Sequence, residues 1–252
     1  MDQVVRRQIC KYTDGSSEQI EDSLAREQKV RIAVNGREVV SLYCTPHMVR
    51  ELVVGYVATE GIIKGGWCAD RMSIEYGDDI LVDIPAEGEV SLEGKTVTSG
   101  CVGGVTFDRG GAEGPIDDQF TIQKEHLRAV YRDFQTRSEL YQLTGCIHSA
   151  ALSDGRHILC FAEDIGRHNA VDKVIGYAVL EEIPFSGKVL LASGRISSEI
   201  SGKCSRWGIP VLVTRTAPTN LAVEIAERRG VTIVGFMRGS RFNVYTHPER
   251  IV

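Results

Sequence analysis

Residues 163–176 read Glu163-Asp164-Ile165-Gly166-Arg167-His168-Asn169-Ala170-Val171-Asp172-Lys173-Val174-Ile175-Gly176, bringing an acid, a guanidinium, an imidazole and an amide close together. The apolar run His157 to Ala162 before them reads as a strand. After them Ala170, Val174 and Ala178 form one stripe and Val171, Ile175 and Val179 the next, which is helical spacing. A strand end that feeds a helix N-terminus offers free N–H groups and partial positive charge, a place for an anion. The same residues also suit a polar turn with Asp164 as its cap. Three later apolar runs end alike. Lys188–Ala192 leads into Ser193-Gly194-Arg195, Val211–Val213 into Thr214-Arg215-Thr216, and Val231–Phe236 into Met237-Arg238-Gly239-Ser240-Arg241. If these strands are parallel neighbours, Arg167, Arg195, Arg215, Arg238 and Arg241 converge on one edge. Guanidinium pairs with phosphate through two parallel hydrogen bonds, so such an edge suits a polyanion.

The second chemical feature is Cys101, within Thr96-Val97-Thr98-Ser99-Gly100-Cys101-Val102-Gly103-Gly104-Val105. Flanking glycines remove bulk and allow positive φ, which makes a thiol reachable. A structural cysteine in a tight turn and a reactive one fit this pattern equally.

Three stretches resemble the formate dehydrogenase accessory sulfurtransferases, the FdhD family: Glu163 to Lys173, Ser193-Gly194-Arg195-Ile196-Ser197-Ser198-Glu199-Ile200, and Gly235 to Thr246. The resemblance runs from about Val30 to Ile251, and three long motifs in one order are far more specific than a lone glycine pattern. It implies a persulfide on Cys101 that takes sulfur from a cysteine desulfurase. The acceptor it implies is the molybdenum bis(molybdopterin guanine dinucleotide) cofactor of a formate dehydrogenase, with GDP or GTP as mimics. It places cofactor binding on Phe236, Met237, Arg238, Gly239, Ser240 and Arg241; Arg167, His168, Arg195 and Arg215 join them as the polyanion edge. It also implies a homodimer. The family usually has Cys-x-x-Cys in the thiol loop, and here Gly104 stands at the second position. Thr144-Gly145-Cys146-Ile147-His148 resembles a further motif, usually Thr-Gly-Gly-x-His, with Cys146 at the second glycine.

The 252 residues are 42% hydrophobic, enough for a sizeable core, and the net charge is −5. A negative balance disfavours nucleic acid as a partner. The start, Met1-Asp2-Gln3-Val4-Val5-Arg6-Arg7, lacks the apolar core of a signal peptide, and no run approaches a membrane span. The expectation is a soluble cytoplasmic protein, with its 7 cysteines reduced. Cys44 and Cys160 lie in apolar runs and read as core fillers.

These groups need a scaffold. Val4–Cys10 suggests an edge strand and Asp14–Gln28 a charged loop. Val30–Val34 and Glu38–Tyr43 flank Asn35-Gly36, a hairpin turn. Thr45-Pro46 should open a helix with Met48, Leu52, Val53, Tyr56 and Val57 buried, closed by Gly61. Asp70–Ile84 holds two short strands around Gly77-Asp78, and the Gly- and Asp-rich residues Asp108–Asp118 mark a boundary. From Thr121 the order is α-β-β-α-β-α-β-α-β, beginning with one long helix Thr121–Leu143, which argues for an α/β sheet mainly parallel beyond its first hairpin. The resemblance makes residues 118–252 a cytidine deaminase-like domain and residues 1–117 a smaller α+β domain. Deaminases of that fold hold zinc through His and two Cys. Here no Pro-Cys-x-x-Cys occurs, Ala170 ends His168-Asn169-Ala170 where Glu would be needed, and Cys204 stands alone, so no zinc is expected. Sulfur transfer, a nucleotide hydrolase or deaminase, and a cofactor chaperone without chemistry remain the three readings.

Overall fold

The computed structural model describes residues 1–90 and 114–252, and the backbone of two short strands in between. Strands β1 (Val4–Thr13) and β2 (Ser16–Ala25) form a two-stranded ribbon. β2 lies where a charged loop was expected. Neither face of the ribbon packs on a core, so no apolar alternation marks it. Opposite charges across the strands support it instead: Arg7 faces Asp22, Lys11 faces Glu18, and Arg6 pairs with Glu21 at 3.1 Å.

β3 (Gln28–Val34) and β4 (Arg37–Cys44) turn through Asn35 and Gly36 at φ 51 and 74, the two left-handed residues that a tight hairpin needs. Helix α1 (Val49–Glu60) ends on left-handed Gly61 but starts after Met48, not at Thr45. The buried Thr45 has been recruited elsewhere. Its N–H donates to Asp164, its hydroxyl accepts from the Ile165 N–H, and its carbonyl accepts from Lys173. After β5 (Ile63–Lys64) come β6 (Ser73–Tyr76) and β7 (Ile80–Ile84), which complete a four-stranded sheet of order β4-β3-β7-β6. β8 (Glu89–Val90) pairs back onto β5, and β9 (Thr96–Val97) pairs with β10 (Val105–Thr106).

The expected long helix is two: α2 (Lys124–Thr136) and α3 (Glu139–Thr144). The break falls at Ser138, whose buried hydroxyl donates to the Glu163 carboxylate. β11 (His148–Ser153), β12 (Ile158–Asp164), α4 (Arg167–Leu180), β13 (Val189–Ala192), α5 (Ser198–Arg206), β14 (Val211–Thr214), α6 (Asn220–Arg229), β15 (Thr232–Arg238) and β16 (Arg241–Val244) follow. The sheet order is β12-β11-β13-β14-β15-β16. Only β13–β14 and β14–β15 pair in parallel, so the sheet is less parallel than expected. Yet β11 runs against both β12 and β13, which leaves β12, β13, β14 and β15 pointing one way.

Apolar side chains of α4, α5 and α6 cover one face of this sheet, and Leu127, Val130, Tyr131 and Phe134 of α2 cover the other. α1 is sandwiched between the four-stranded sheet and α4, which explains why its buried residues run right round it. The two helices touch backbone to backbone. A Cβ on Gly55 would lie 1.8 Å from the Asp172 carbonyl oxygen, and one on Gly176 would lie 1.8 Å from that of Glu51.

Candidate functional site

The β12–α4 junction is built around a buried carboxylate. Asp164 Oδ1 accepts from the Gly166 N–H and Asn169 Nδ2, both at 2.8 Å, and Oδ2 accepts from the Thr45 N–H at 3.1 Å. Lys173 Nζ lies 2.7 Å from Asp164 Oδ2 with both side chains 0% exposed, and also donates to the carbonyls of Thr45 and Glu163. Every donor of the ammonium has an acceptor, which is what lets a charge stay buried. At the preceding residue of α4, Lys203 Nζ sits 2.5 Å from both Asp172 oxygens and 3.2 Å from Glu60 Oε1, and Thr59 donates to Asp172 at 2.9 Å. Asp172 and Lys173 are therefore neither a solvated helix face nor groups facing a ligand. They belong to the joint between α1 and α4. Asp172 and Lys173, four and five residues after His168, look the same in sequence whether they are buried or exposed.

What faces outward is the row at the carboxyl ends of the strands. Arg167, mostly buried, lays its aliphatic stem over Gly194; a Cβ there would come within 3.1 Å of Arg167 Cβ and Cδ and 3.3 Å of His148 Nδ1. His148 Nδ1 is 3.3 Å from Ser193 Oγ, which also accepts from the Ser149 N–H at 2.9 Å. Burial, Arg167 and Arg195 together push the His148 imidazole below its usual value, against the pull of Asp164. His168 Nε2 lies 3.0 Å from Ser197 Oγ and 3.1 Å from Glu199 Oε2. Glu199 favours an imidazolium, but burial, then Lys203, Arg167 and His148, oppose it and bring His168 down to about 3. Both rings are neutral at pH 7. Arg195 and Arg215 end their strands exposed.

Beside this row, under α2 and α3, is a cavity of about 370 Å³ lined by Tyr131, Phe134, Ser138, Tyr141, His148 and Arg215 among others. The helix residues among these escaped the sequence reading because their spacing is that of a core helix. Residues 236–241 are not a free loop. Phe236 sits at φ 52 in a bulge of β15, with its N–H bonded to Thr216 O at 2.9 Å, and Met237 is buried in the core beneath α2. Strain at a bulky residue with positive φ is held where a strand end must be re-aimed. Gly239 and Ser240 make the turn, and Arg238 and Arg241 face each other across it, exposed. They lie at the far side of the edge from Arg167, four strands away in the sheet order.

Cys101 lies outside the described residues, between β9 and β10. The segment that carries it leaves from β8, paired to β5 just past the end of α1, and returns where the Ile116 N–H bonds Arg229 O at the end of α6. Helix ends that lead into the parallel strands mark the edge opposite the arginines. Cys146 is exposed, with Sγ 3.8 Å from Thr144 Oγ1. Cys44, Cys160 and Cys204 are buried core fillers, and burial pushes each thiol up to about 12. His247-Pro248-Glu249 does have the His-x-Glu spacing of a deaminase's first zinc element, but it lies beside the end of α6, with His247 Nε2 3.0 Å from Glu227 O. Among the described residues no helix is long and apolar enough to cross a membrane.

The model of the FdhD/NarQ family matches residues 25–252. Proteins named sulfur carrier protein FdhD are similar along the whole length. That of Bacillus licheniformis is 38% identical over 97% of this chain and 96% of its own, and that of Listeria innocua is 33% identical over 100% of each. A crystal structure described as that of a formate dehydrogenase accessory protein from Desulfotalea psychrophila is 26% identical, superposes with a TM-score of 0.79 and covers 100% of both chains.

Proposed function

The chain belongs to the FdhD/NarQ family, and on that premise we propose that it carries sulfur from a cysteine desulfurase to the molybdenum cofactor of a formate dehydrogenase. The Cys101 thiolate attacks the outer sulfur of the donor's persulfide. The donor's S–S bond breaks, its cysteine leaves as thiolate, and the sulfur now rides on Cys101. The cofactor, in its bis(molybdopterin guanine dinucleotide) form, is cargo rather than a resident group, and no zinc takes part. The setting is a reducing cytoplasm, with residues 1–117 and 118–252 acting as two domains on a deaminase-like scaffold, within a homodimer.

One observation carries the binding half of this reading. β12, β13, β14 and β15 point the same way, so Arg167, Arg195, Arg215 and Arg238 share one edge, roughly 19 Å from first strand to last. That is a track for several phosphates, as a cofactor with two nucleotide arms requires. The described residues that flank the Cys101 segment, Val90 and Ile116, lie by the ends of α1 and α6 instead. An extended chain from Val90 to Cys101 reaches about 36 Å, and the 14-residue α4, which spans the layer, is about 21 Å long. One thiol suffices, without the partner that Gly104 replaces.

Two measurements test this. After incubation with a desulfurase and cysteine, mass spectrometry should find the persulfide on Cys101; label confined to Cys146 or Cys204 would refute the carrier role of Cys101. Calorimetry should find GDP bound, with Arg238→Ala and Arg241→Ala each weakening it about tenfold or more. Undiminished affinity in both variants would move the site off this edge.

A further inference from the structure

We propose that Arg128 and Arg132 of α2 bind phosphate together with Arg238 and Arg241, so that this corner of the molecule is a seat for a diphosphate group. The inference rests on the nucleotide-cofactor reading above and says which residues hold its phosphates.

The β15–β16 turn sets two exposed guanidinium groups directly across from each other, since Arg238 and Arg241 are Cα partners. Like charges opposite one another in an antiparallel pair repel. α2 adds a third instead of a carboxylate. Arg128 Nη2 donates to Ser240 O at the tip of the turn at 2.7 Å, and its guanidinium lies 5.4 Å from the centre of the Phe242 ring. These contacts hold Arg128 without neutralising it. Its Nε is buried and has no acceptor among the described residues.

Arg132 follows one helical turn later on the same face, exposed, about 5.4 Å further along the axis. Its neighbour Tyr131 donates to Ala192 O at the end of β13 and lines the 370 Å³ cavity, so the stripe leads from the turn towards the cavity and Arg215. None of the ion pairs found among the described residues involves Arg128, Arg132, Arg238 or Arg241, although the chain as a whole carries −5. Guanidinium groups collected with no ion pair among the described residues suit a ligand bearing more than one negative charge. Their forked donors match phosphate oxygens. Nothing in the sequence motifs points to α2, because Lys124, Arg128 and Arg132 at four-residue spacing look like any solvated helix face.

The test is calorimetry on the full chain with two probes, GDP and inorganic pyrophosphate, at low and high salt. Wild type should bind both. Arg132→Ala, which removes a side chain with no hydrogen bond or ion pair among the described residues, should weaken both about tenfold, and the loss should shrink as salt rises. Arg128→Lys, which keeps the charge but not the fork, should weaken both as well. Arg137→Ala is the control: it removes the same charge from the end of the same helix, where Arg137 is paired with Asp133, and should leave binding unchanged. Undiminished binding in Arg132→Ala overturns the inference, as does an equal loss in Arg137→Ala. GDP bound but not pyrophosphate means that the base, not a diphosphate seat, holds the ligand, and the inference falls alone. Neither probe bound means that the nucleotide reading of the whole edge fails with it.

Discussion

His168 sits where a carboxylate and two cations disagree about its charge, and the outcome is measurable. Glu199 lies 3.1 Å away, but burial, Lys203 and Arg167 win and lower the ring to about 3. In the unfolded chain it titrates near 6.5. A group whose folded value is depressed takes up its proton on unfolding, so its share of stability is present above pH 6.5 and is lost as pH falls towards 3. At pH 5 the loss is about 2 kcal/mol. Urea unfolding at pH 7 and pH 5 should therefore show a drop for wild type that is smaller by about that amount in His168→Gln. Equal drops, or a wild type that gains stability on acidification, would mean that the Glu199 ion pair governs the ring.

At the scale of elements, the crossing of α1 and α4 ties the two sheets together. Glycine inside a helix costs up to about 1 kcal/mol relative to alanine, yet both helices have one where their backbones meet. A methyl group on either would stand 1.8 Å from a carbonyl oxygen that belongs to a helix and cannot rotate away. Gly176→Ala should lower stability by about 3 kcal/mol or more, since the helices must separate and the buried pairs Asp164–Lys173 and Asp172–Lys203 must stretch with them. Gly202→Ala, in α5, meets only the end of the flexible Arg206 side chain, at 3.8 Å, and should be close to neutral. Similar urea midpoints for the two variants would show that the crossing is not rigid.

For the molecule as a whole, the described residues that flank the thiol segment, Val90 and Ile116, lie by the ends of α1 and α6, and the arginines occupy the strand-end edge. Sulfur acceptance and cargo binding should then be separable. In a cell lacking its own accessory protein, Cys101→Ala should bind the cofactor and fail to activate a formate dehydrogenase. Arg195→Ala should load sulfur on Cys101 and deliver it poorly, because the cargo is no longer positioned. Full activation by Cys101→Ala would make the protein a cofactor chaperone without sulfur chemistry.

Much of this was legible in the sequence alone. Apolar spacing located β3, whose buried residues alternate because one face packs on α1, and apolar runs set off by turn residues located β4, the helices α4, α5 and α6 and the strands between them. The arginines at the strand ends were legible too, since strand, loop and helix follow in order. Tertiary structure decided the rest. β2 has no buried face, so its pattern carried no signal. Thr45 reads as a helix cap but spends its bonds on Asp164, Ile165 and Lys173, 119 or more residues away. Asp172 and Lys173, at helix spacing from His168, suit orienting groups or a solvated face and are core, because a charge may be buried wherever the fold brings it enough partners: Asp172 meets Thr59 of α1 and Lys203 of α5, and Lys173 meets Asp164 and the Thr45 and Glu163 carbonyls. Arg128 meets the β15–β16 turn only once α2 lies across the sheet. Local spacing determines which elements form; which charges those elements bury, and which they gather at one corner, depends on contacts between residues far apart in the chain.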